Sequence, residues 1–161
     1  MVKINLQIKA NLEFLEELYT SHPNFSFYFK IRCLNCGEAS DKWHDVSELE
    51  KFGSENKHSE SNFVAKCKLC GRENSLSIVK DSNGKFSNKH RNKFQTIVTF
   101  DCRGIEPIDF DPNSGWVAKV EDTGKLYHDI DLSEKEWVEY DSDIKQSIGI
   151  YDFEFQFVKA K

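Results

Sequence analysis

The sequence predicts an all-β protein built as two similar antiparallel β-sandwich or barrel-like lobes, with one or two short helices. Three observations carry this expectation. Apolar and polar residues alternate at the period of a half-buried strand in one segment after another. The composition is rich in aromatics, with thirteen Phe against a single Met, the initiator, and three Pro in 161 residues, which favours sheet over helix bundle. Helix-start signals are confined to two short stretches.

Taken in order, "VKINLQIKANL" alternates Val2, Ile4, Leu6 and Ile8 against Lys3, Asn5, Gln7 and Lys9, the pattern of a strand with one buried face. "NFSFYFKIRC" continues in the same style, with Phe25, Phe27, Phe29 and Ile31 on one face and Cys33 following in phase. "NFVAKCKLC" and "NSLSIVK" read as two strands with cysteines in the turn between them, and Asn83-Gly84 suits a tight hairpin or short loop. "FQTIVTFDCRG" is another β-branched and aromatic run, followed by "GWVAKVED", "GKLYHDIDL" and "SIGIYDFEFQF". In the last of these the apolar phase slips by one residue after Ile150, which predicts a bulge or bend close to Gly149. The two helix signals are Ser-x-x-Glu patterns at Ser47 and Ser133, each followed by too little chain for more than one or two turns.

Length and charge narrow the function classes. A chain of 161 residues is long enough to bury its own hydrophobic core, so size alone does not oblige it to bind metal to fold. It reads as one compact unit over 1–161, divisible into lobes 10–90 and 91–161, with strand 2–9 pairing across them. "FYFKIRC" and "IVTFDCRG", each followed by a turn and a Trp, resemble one another faintly, and Val79-Lys80 and Val158-Lys159 each close a β-rich segment. That is either a two-fold pseudo-repeat in which only the first half kept its metal or what any two sheets look like, since two copies do not establish a period. The polar run over 53–62 is the expected mobile loop.

Net charge is −5, a poor footprint for neutralising nucleic-acid phosphates. No apolar run has the length of a signal peptide or a membrane span. The expectation is a cytoplasmic protein, with nuclear access open, that is monomeric and binds neither nucleic acid nor membrane.

The five cysteines carry the chemistry. Cys33 and Cys36 form a Cys-x-x-Cys pair followed by Gly37, and Cys67 and Cys70 repeat the pattern before Gly71. In a reducing compartment such spacing points to metal ligands or reactive thiols rather than disulfides. A Cys-x-x-Cys turn sets two sulfurs on one side of an ion, and two such turns complete a tetrahedral four-thiolate site. The glycine behind each pair lets the chain adopt the left-handed conformation that closes the turn. Zinc is the expected occupant, with iron–sulfur ligation and redox cysteines as the alternatives. Four protein ligands leave no open position, so the role is structural. Arg32, Lys66, Lys68 and Arg72 flank the pairs and either offset the cluster's charge or are simply solvated.

Cys102, in "TFDCRGIEP", has no partner cysteine. Arg103 beside it could lower its pKa and make it a reactive thiol. A lone cysteine at the end of an apolar strand is more often a small buried hydrophobe. His22, His44, His58, His90 and His128 show no ligand spacing, and the acidic runs read as turns and solvated surface. No phosphate-cradling loop, nucleophile elbow or dinucleotide fingerprint is present, and no catalytic residues are expected.

Together "CLNCGEASDKW", "KCKLCGRENS", "FDCRGIEPIDF", "SIGIYDFEFQFVK" and the opening "KINLQIKANLE" resemble the eukaryotic CXXC-motif-containing zinc-binding proteins across essentially the whole chain. The resemblance implies an all-β fold of two similar lobes, one zinc ion on Cys33, Cys36, Cys67 and Cys70, and no established enzymatic activity. Asp101 stands where the family pattern leads one to expect Glu, and the loop over 53–62 is idiosyncratic, but neither touches a ligand. The resulting expectation is a non-enzymatic scaffold that binds a protein partner. The alternative is thiol-redox or metal-exchange chemistry, using Cys102 or a labile zinc site.

Overall fold

A computed structural model describes residues 2–53 and 60–161. Most of the loop over 53–62, His58 included, lies outside the described residues. Among the described residues fifteen strands follow in chain order. The first half carries β1 (Val2–Glu13), β2 (Leu15–Thr20), β3 (Ser26–Cys33), β4 (His44–Ser47), β5 (Phe52–Gly53), β6 (Glu60–Ser61), β7 (Phe63–Lys66), β8 (Glu73–Ile78) and β9 (Phe86–Ser87). The second carries β10 (Gln95–Arg103), β11 (Ile105–Asp111), β12 (Trp116–Val120), β13 (Leu126–Ile130), β14 (Trp137–Asp141) and β15 (Gln146–Lys159).

A six-stranded antiparallel sheet runs β14-β15-β1-β10-β8-β7. Two smaller sheets, β11-β3-β4 and β13-β12-β2-β9, pack against it, and β5 pairs with β6. The alternation read from the sequence is the burial pattern observed: Ile4, Leu6 and Ile8 of β1 face inward, as do Phe27, Phe29 and Ile31 of β3. These faces meet in one contiguous core. Phe100 of β10 stands edge-on to Phe27 and Phe29 at 5.4 and 4.9 Å between ring centroids, and Trp116 meets Phe25 and Phe153 in the same way. Edge-on ring pairs of this kind add to the area they bury.

Two corners create the layers. β1 turns into β2 at Phe14 (φ 60), and β10 turns into β11 at Gly104 (φ 78). At each corner one positive-φ residue passes a continuous run of chain from the large sheet to a small one. A two-fold exchange follows from the pairings. Swapping β1 with β10, β8 with β15 and β7 with β14 returns the same six-strand order read from the other end. The same swap turns β11-β3-β4 into β2-β12-β13.

The repeat is therefore present in the strand order, but its register differs from the one that the sequence offered. β3, with "FYFKIRC", corresponds to β12, whereas "IVTFDCRG" lies in β10 and corresponds to β1. Alternating aromatic strands resemble one another whatever their place in a sheet, and only the pairing partners tell them apart.

Three local expectations shift. The Ser-x-x-Glu segments form turns, not helices. Ser47 Oγ accepts the Leu49 N–H and the chain then leaves in extended form, while Asp131 Oδ1 takes both the N–H and the hydroxyl of Ser133, a local bond that competes with a helix start. The one helical turn among the described residues is a 3-10 turn at Asn88–His90. The bulge expected close to Gly149 lies just beyond it in β15, after Tyr151, with Asp152 at φ 54. Gly149 itself lies under the Tyr151 ring, where a Cβ would meet the phenol. The turn near Asn83-Gly84 comes earlier, at Lys80 and Asp81, and Gly84 packs its N–H onto the Ile97 carbonyl of β10.

Candidate metal centre

Cys33 is the last residue of β3, and the chain folds back at once. The Gly37 N–H donates to the Cys33 carbonyl (2.9 Å) and the Cys33 N–H to the Glu38 carbonyl (2.9 Å). Cys67 follows β7 and builds the same turn, with Gly71 N–H to Cys67 O (2.9 Å) and Cys67 N–H to Arg72 O (2.8 Å). Gly37 and Gly71 sit at φ 80 and 77, the left-handed region in which glycine has no Cβ penalty.

The corner at Gly104 brings these two turns together. On its upstream side Arg103 pairs with Ser75 of β8, and on its downstream side Ile105 pairs with Cys33 of β3. The Gly104 carbonyl accepts the Leu34 N–H (2.8 Å). One bent strand thus holds one knuckle on each arm, which gives "FDCRGIEP" a physical meaning. Asn74 completes the joint. It is 3% exposed, its Nδ2 donates to Cys33 Sγ (3.5 Å), and its Oδ1 lies against Gly104, where any Cβ would overlap it.

All four sulfurs lie within 4.8 Å of one another, with Cys33–Cys70 at 3.8 Å and Cys36–Cys67 at 3.6 Å. A tetrahedral ion with Zn–S bonds of about 2.3 Å needs sulfurs roughly 3.8 Å apart, so this donor set fits such an ion. The cluster could hold a metal, and its protons are unevenly shared in the metal-free state. The Cys36 backbone N–H pulls the Cys33 thiol down to about 6, aided by the Asn35 backbone and the Asn74 side chain. Cys70 is lowered by the Asn35 side chain and then by the Arg72 backbone. Cys36 accepts from the Glu38 backbone, yet burial and the three neighbouring sulfurs push it up to about 12. Several thiolates crowded together cannot all ionise until a cation joins them.

Asn35 and Asn74 are the groups that the sequence reading missed. Their signal is slight: an Asn within or just after a knuckle, whose amide can donate to a thiolate. Of the flanking cations, Arg32 is committed to Glu106 (2.8 Å). His44 bonds Ser40 (3.4 Å) and stands edge-on to Phe63 rather than joining the sulfurs. Cys102 does not join them either. It points into the core, 1% exposed, and burial, with Asp101 and Glu106 nearby, pushes its thiol up to about 12.

The exchanged half repeats the knuckles without cysteine. Val120 ends β12 as Cys33 ends β3, with Gly124 N–H to Val120 O (3.0 Å), Val120 N–H to Lys125 O (2.8 Å) and Gly124 at φ 73. Asp141 stands at the place of Cys67. Its fully buried carboxylate accepts the Tyr127 hydroxyl (2.8 Å) and the N–H groups of Asp143 and Ile144, with the Lys125 ammonium 3.9 Å away. Hydrogen bonds to one anion join the two turns in this half.

The chain matches the family model described as "CXXC motif containing zinc binding protein, eukaryotic" over residues 5–158. It is 46% identical to the UPF0587 protein CG4646 of Drosophila melanogaster, covering 100% of this chain and 99% of that one. It is 41% identical to the CXXC motif containing zinc binding protein of Homo sapiens, covering 99% and 100%. Among solved structures, the crystal structure of C1orf123 superposes with a TM-score of 0.93 at 40% identity, covering 98% of this chain and 99% of that one. A hypothetical protein from Plasmodium falciparum superposes with a TM-score of 0.88 at 25% identity, covering 98% and 100%. With two Cys-x-x-Cys-Gly knuckles brought together on one bent strand, this chain belongs to the eukaryotic family of CXXC motif containing zinc binding proteins.

Proposed function

We propose that Cys33, Cys36, Cys67 and Cys70 hold one zinc ion in a structural role, and that the protein is a non-enzymatic interaction scaffold, cytoplasmic with access to the nucleus, that acts as a monomer on a protein partner. Four thiolates saturate a tetrahedral ion and leave no position for substrate or water. The observation that carries the partner is what the knuckles display. Leu34 and Leu69, one inside each Cys-x-x-Cys turn, are 47% and 68% exposed. A metal that fixes both turns also fixes these two apolar side chains relative to each other, and apolar groups held together as one patch, unlike ones scattered singly, suit a partner's surface.

The test is an affinity capture read by mass spectrometry, with metal content and circular dichroism as folding controls. A partner retained by wild type and lost from both Cys67→Ser/Cys70→Ser and Leu34→Asp/Leu69→Asp supports the reading. A protein captured equally by all three overturns the role of this surface.

A second reading, metal exchange with another protein, draws on the exposure of Cys36 and Cys70, through which a competing ligand could reach the ion. Zinc release accelerated by an added thiol ligand in proportion to its concentration would favour exchange. Release at a rate independent of the competitor would remove it.

A further inference from the structure

In the first half of the chain the edge of β2 is covered. After β8 the backbone crosses over and lays β9 against it, pairing Glu17 with Ser87 and Leu18 with Phe86, whose ring is fully buried. Under the two-fold exchange β2 corresponds to β11. Each follows a positive-φ corner, and each sets a glutamate against a cation on the next strand: Glu16 with Lys119 at 3.2 Å, Glu106 with Arg32 at 2.8 Å. Among the described residues β11 has no counterpart of β9. It lies at the edge of its sheet, and β15, the counterpart of β8, runs straight on along β1 to Lys159 instead of crossing. A groove of about 480 Å³ remains between β11 and the tail of β15; its lining includes Pro107, Ile108, Phe155 and Phe157 together with the charged Arg32, Glu106 and Lys159. Ile108 is 37% exposed, and Phe155 and Phe157 are only partly buried.

We propose that this groove docks a short extended segment of a partner protein, which pairs with the edge of β11 as β9 pairs with β2 and carries an aromatic side chain next to a Lys or Arg. The template is the chain's own Lys85-Phe86-Ser87. Phe86 shows what fills such a groove. Lys85 reaches Glu17 (3.8 Å) and lies over the Tyr19 ring (4.5 Å). β11 reads "IEPIDFD". Glu106 is already held by Arg32, and Arg32 and Lys159 both line the groove, so the basic residue of the docked segment is matched to Asp109 and Asp111 along the strand and the groove itself takes the aromatic side chain. Adding a strand to a free edge supplies main-chain hydrogen bonds, while the groove selects side chains. Pro107 lacks an N–H and the register shifts next to Ile108, two devices that prevent long edge-to-edge pairing. They disfavour a second copy of this chain but admit a two-residue pairing such as that of β9.

The inference rests on the interaction role proposed above, yet its failure would be distinct. It concerns a face built by β11 and β15, and its loss would leave capture through the knuckles untouched.

The test uses the zinc-loaded, isotope-labelled full chain and a synthetic peptide of residues 82–90, SNGKFSNKH. Saturable amide shifts are expected along β11 and over 155–159. Peptide with Phe replaced by Ala should bind at least about tenfold more weakly, and so should the Ile108→Arg protein with zinc content and melting unchanged. Because a two-residue pairing binds weakly, the same nine residues are also fused behind Lys161 through a Gly/Ser linker, raising their local concentration to roughly the millimolar range. Slowed amide exchange in β11 is expected. No shift with the free peptide together with unchanged exchange in the fusion overturns the proposal. Shifts confined to β2, where the peptide would be displacing the native β9, overturn it too. So does self-association that Ile108→Arg abolishes, which would make a second copy the occupant.

Discussion

Removing the metal deletes a cross-link whose size can be read from the chain. The ion would join Cys33 to Cys70 and Cys36 to Cys67, 37 and 31 residues apart. Thiolates of an unfolded chain also bind metal, so the gain to count is the constraint that the cross-link places on that chain. For loops of this length it is about 4 kcal/mol at 25 °C. In a protein of 161 residues, where each kcal/mol moves the melting temperature by about 2–4 °C, chelation should lower it by about 8–16 °C. The metal-free protein should nevertheless stay folded, because the core cluster around Leu6, Ile8, Phe29 and Phe100 is built without the four clustered cysteines.

The assay is calorimetric or circular-dichroism melting, in reductant, of the zinc-loaded and chelator-stripped protein. A Cys67→Ser variant should melt near the stripped form and ignore chelator. Equal melting temperatures with and without metal would refute a structural role. A chain already unfolded at room temperature after stripping would refute the metal-independent core.

Gly104→Ala forces a Cβ against Asn74 Oδ1 at a backbone φ of +78. It should cost roughly 1–3 kcal/mol and speed zinc loss to a chelator, since Asn74 must leave Cys33. Gly124→Ala, at φ +73 with nothing nearer than 3.7 Å, should carry the backbone strain alone and leave zinc retention unchanged. Cys102, buried and with a thiol near 12, should react with iodoacetamide at about pH 8 at least roughly a thousandfold more slowly than an ordinary thiol. Mass spectrometry of the native and unfolded protein reads this directly, and fast modification of Cys102 in the native form would restore the reactive-thiol reading. Asp141 is held below the usual 3.8 by the Tyr127 hydroxyl, then by the Ile144 and Asp143 amides and Lys125. Its stabilising contribution is therefore full above 3.8 and lost as pH falls through the lower folded value. Denaturant unfolding of the metal-free protein between about pH 5 and pH 2.5 should show this acid slope in wild type and not in Asp141→Asn.

Much of the fold is legible because strand alternation is a local property. Phe25, Phe27, Phe29 and Ile31 announce a strand and its buried face by their spacing, whatever that strand pairs with. The knuckles are equally local: two cysteines three apart and a glycine behind them specify a turn with both sulfurs on one side, and two such turns specify a four-sulfur cluster. The motif around Cys102 was visible as a motif, yet its use was not. Its meaning depends on β8 pairing with one arm of the Gly104 corner and β3 with the other, contacts that no neighbour in sequence records.

The sequence by itself determined the strongly alternating strands such as β1, β3, β10 and β15, the two Cys-x-x-Cys-Gly knuckles and the family, whereas β2, β4, β11 and β14 were not announced by it. Tertiary structure alone decided which strands are equivalent, that β3 answers to β12 and not to β10, and that Asp141 stands buried where the other half has Cys67. It also decided that Asn74 points at Cys33, that the Ser47 and Ser133 segments stop at a turn, and that among the described residues the edge of β11 is open while that of β2 is closed. The physical reason is the range of the interactions. Periodicity and turn chemistry are fixed within a few residues, whereas pairing partners and burial are settled by contacts between segments tens of residues apart, which one ordering of strands satisfies together.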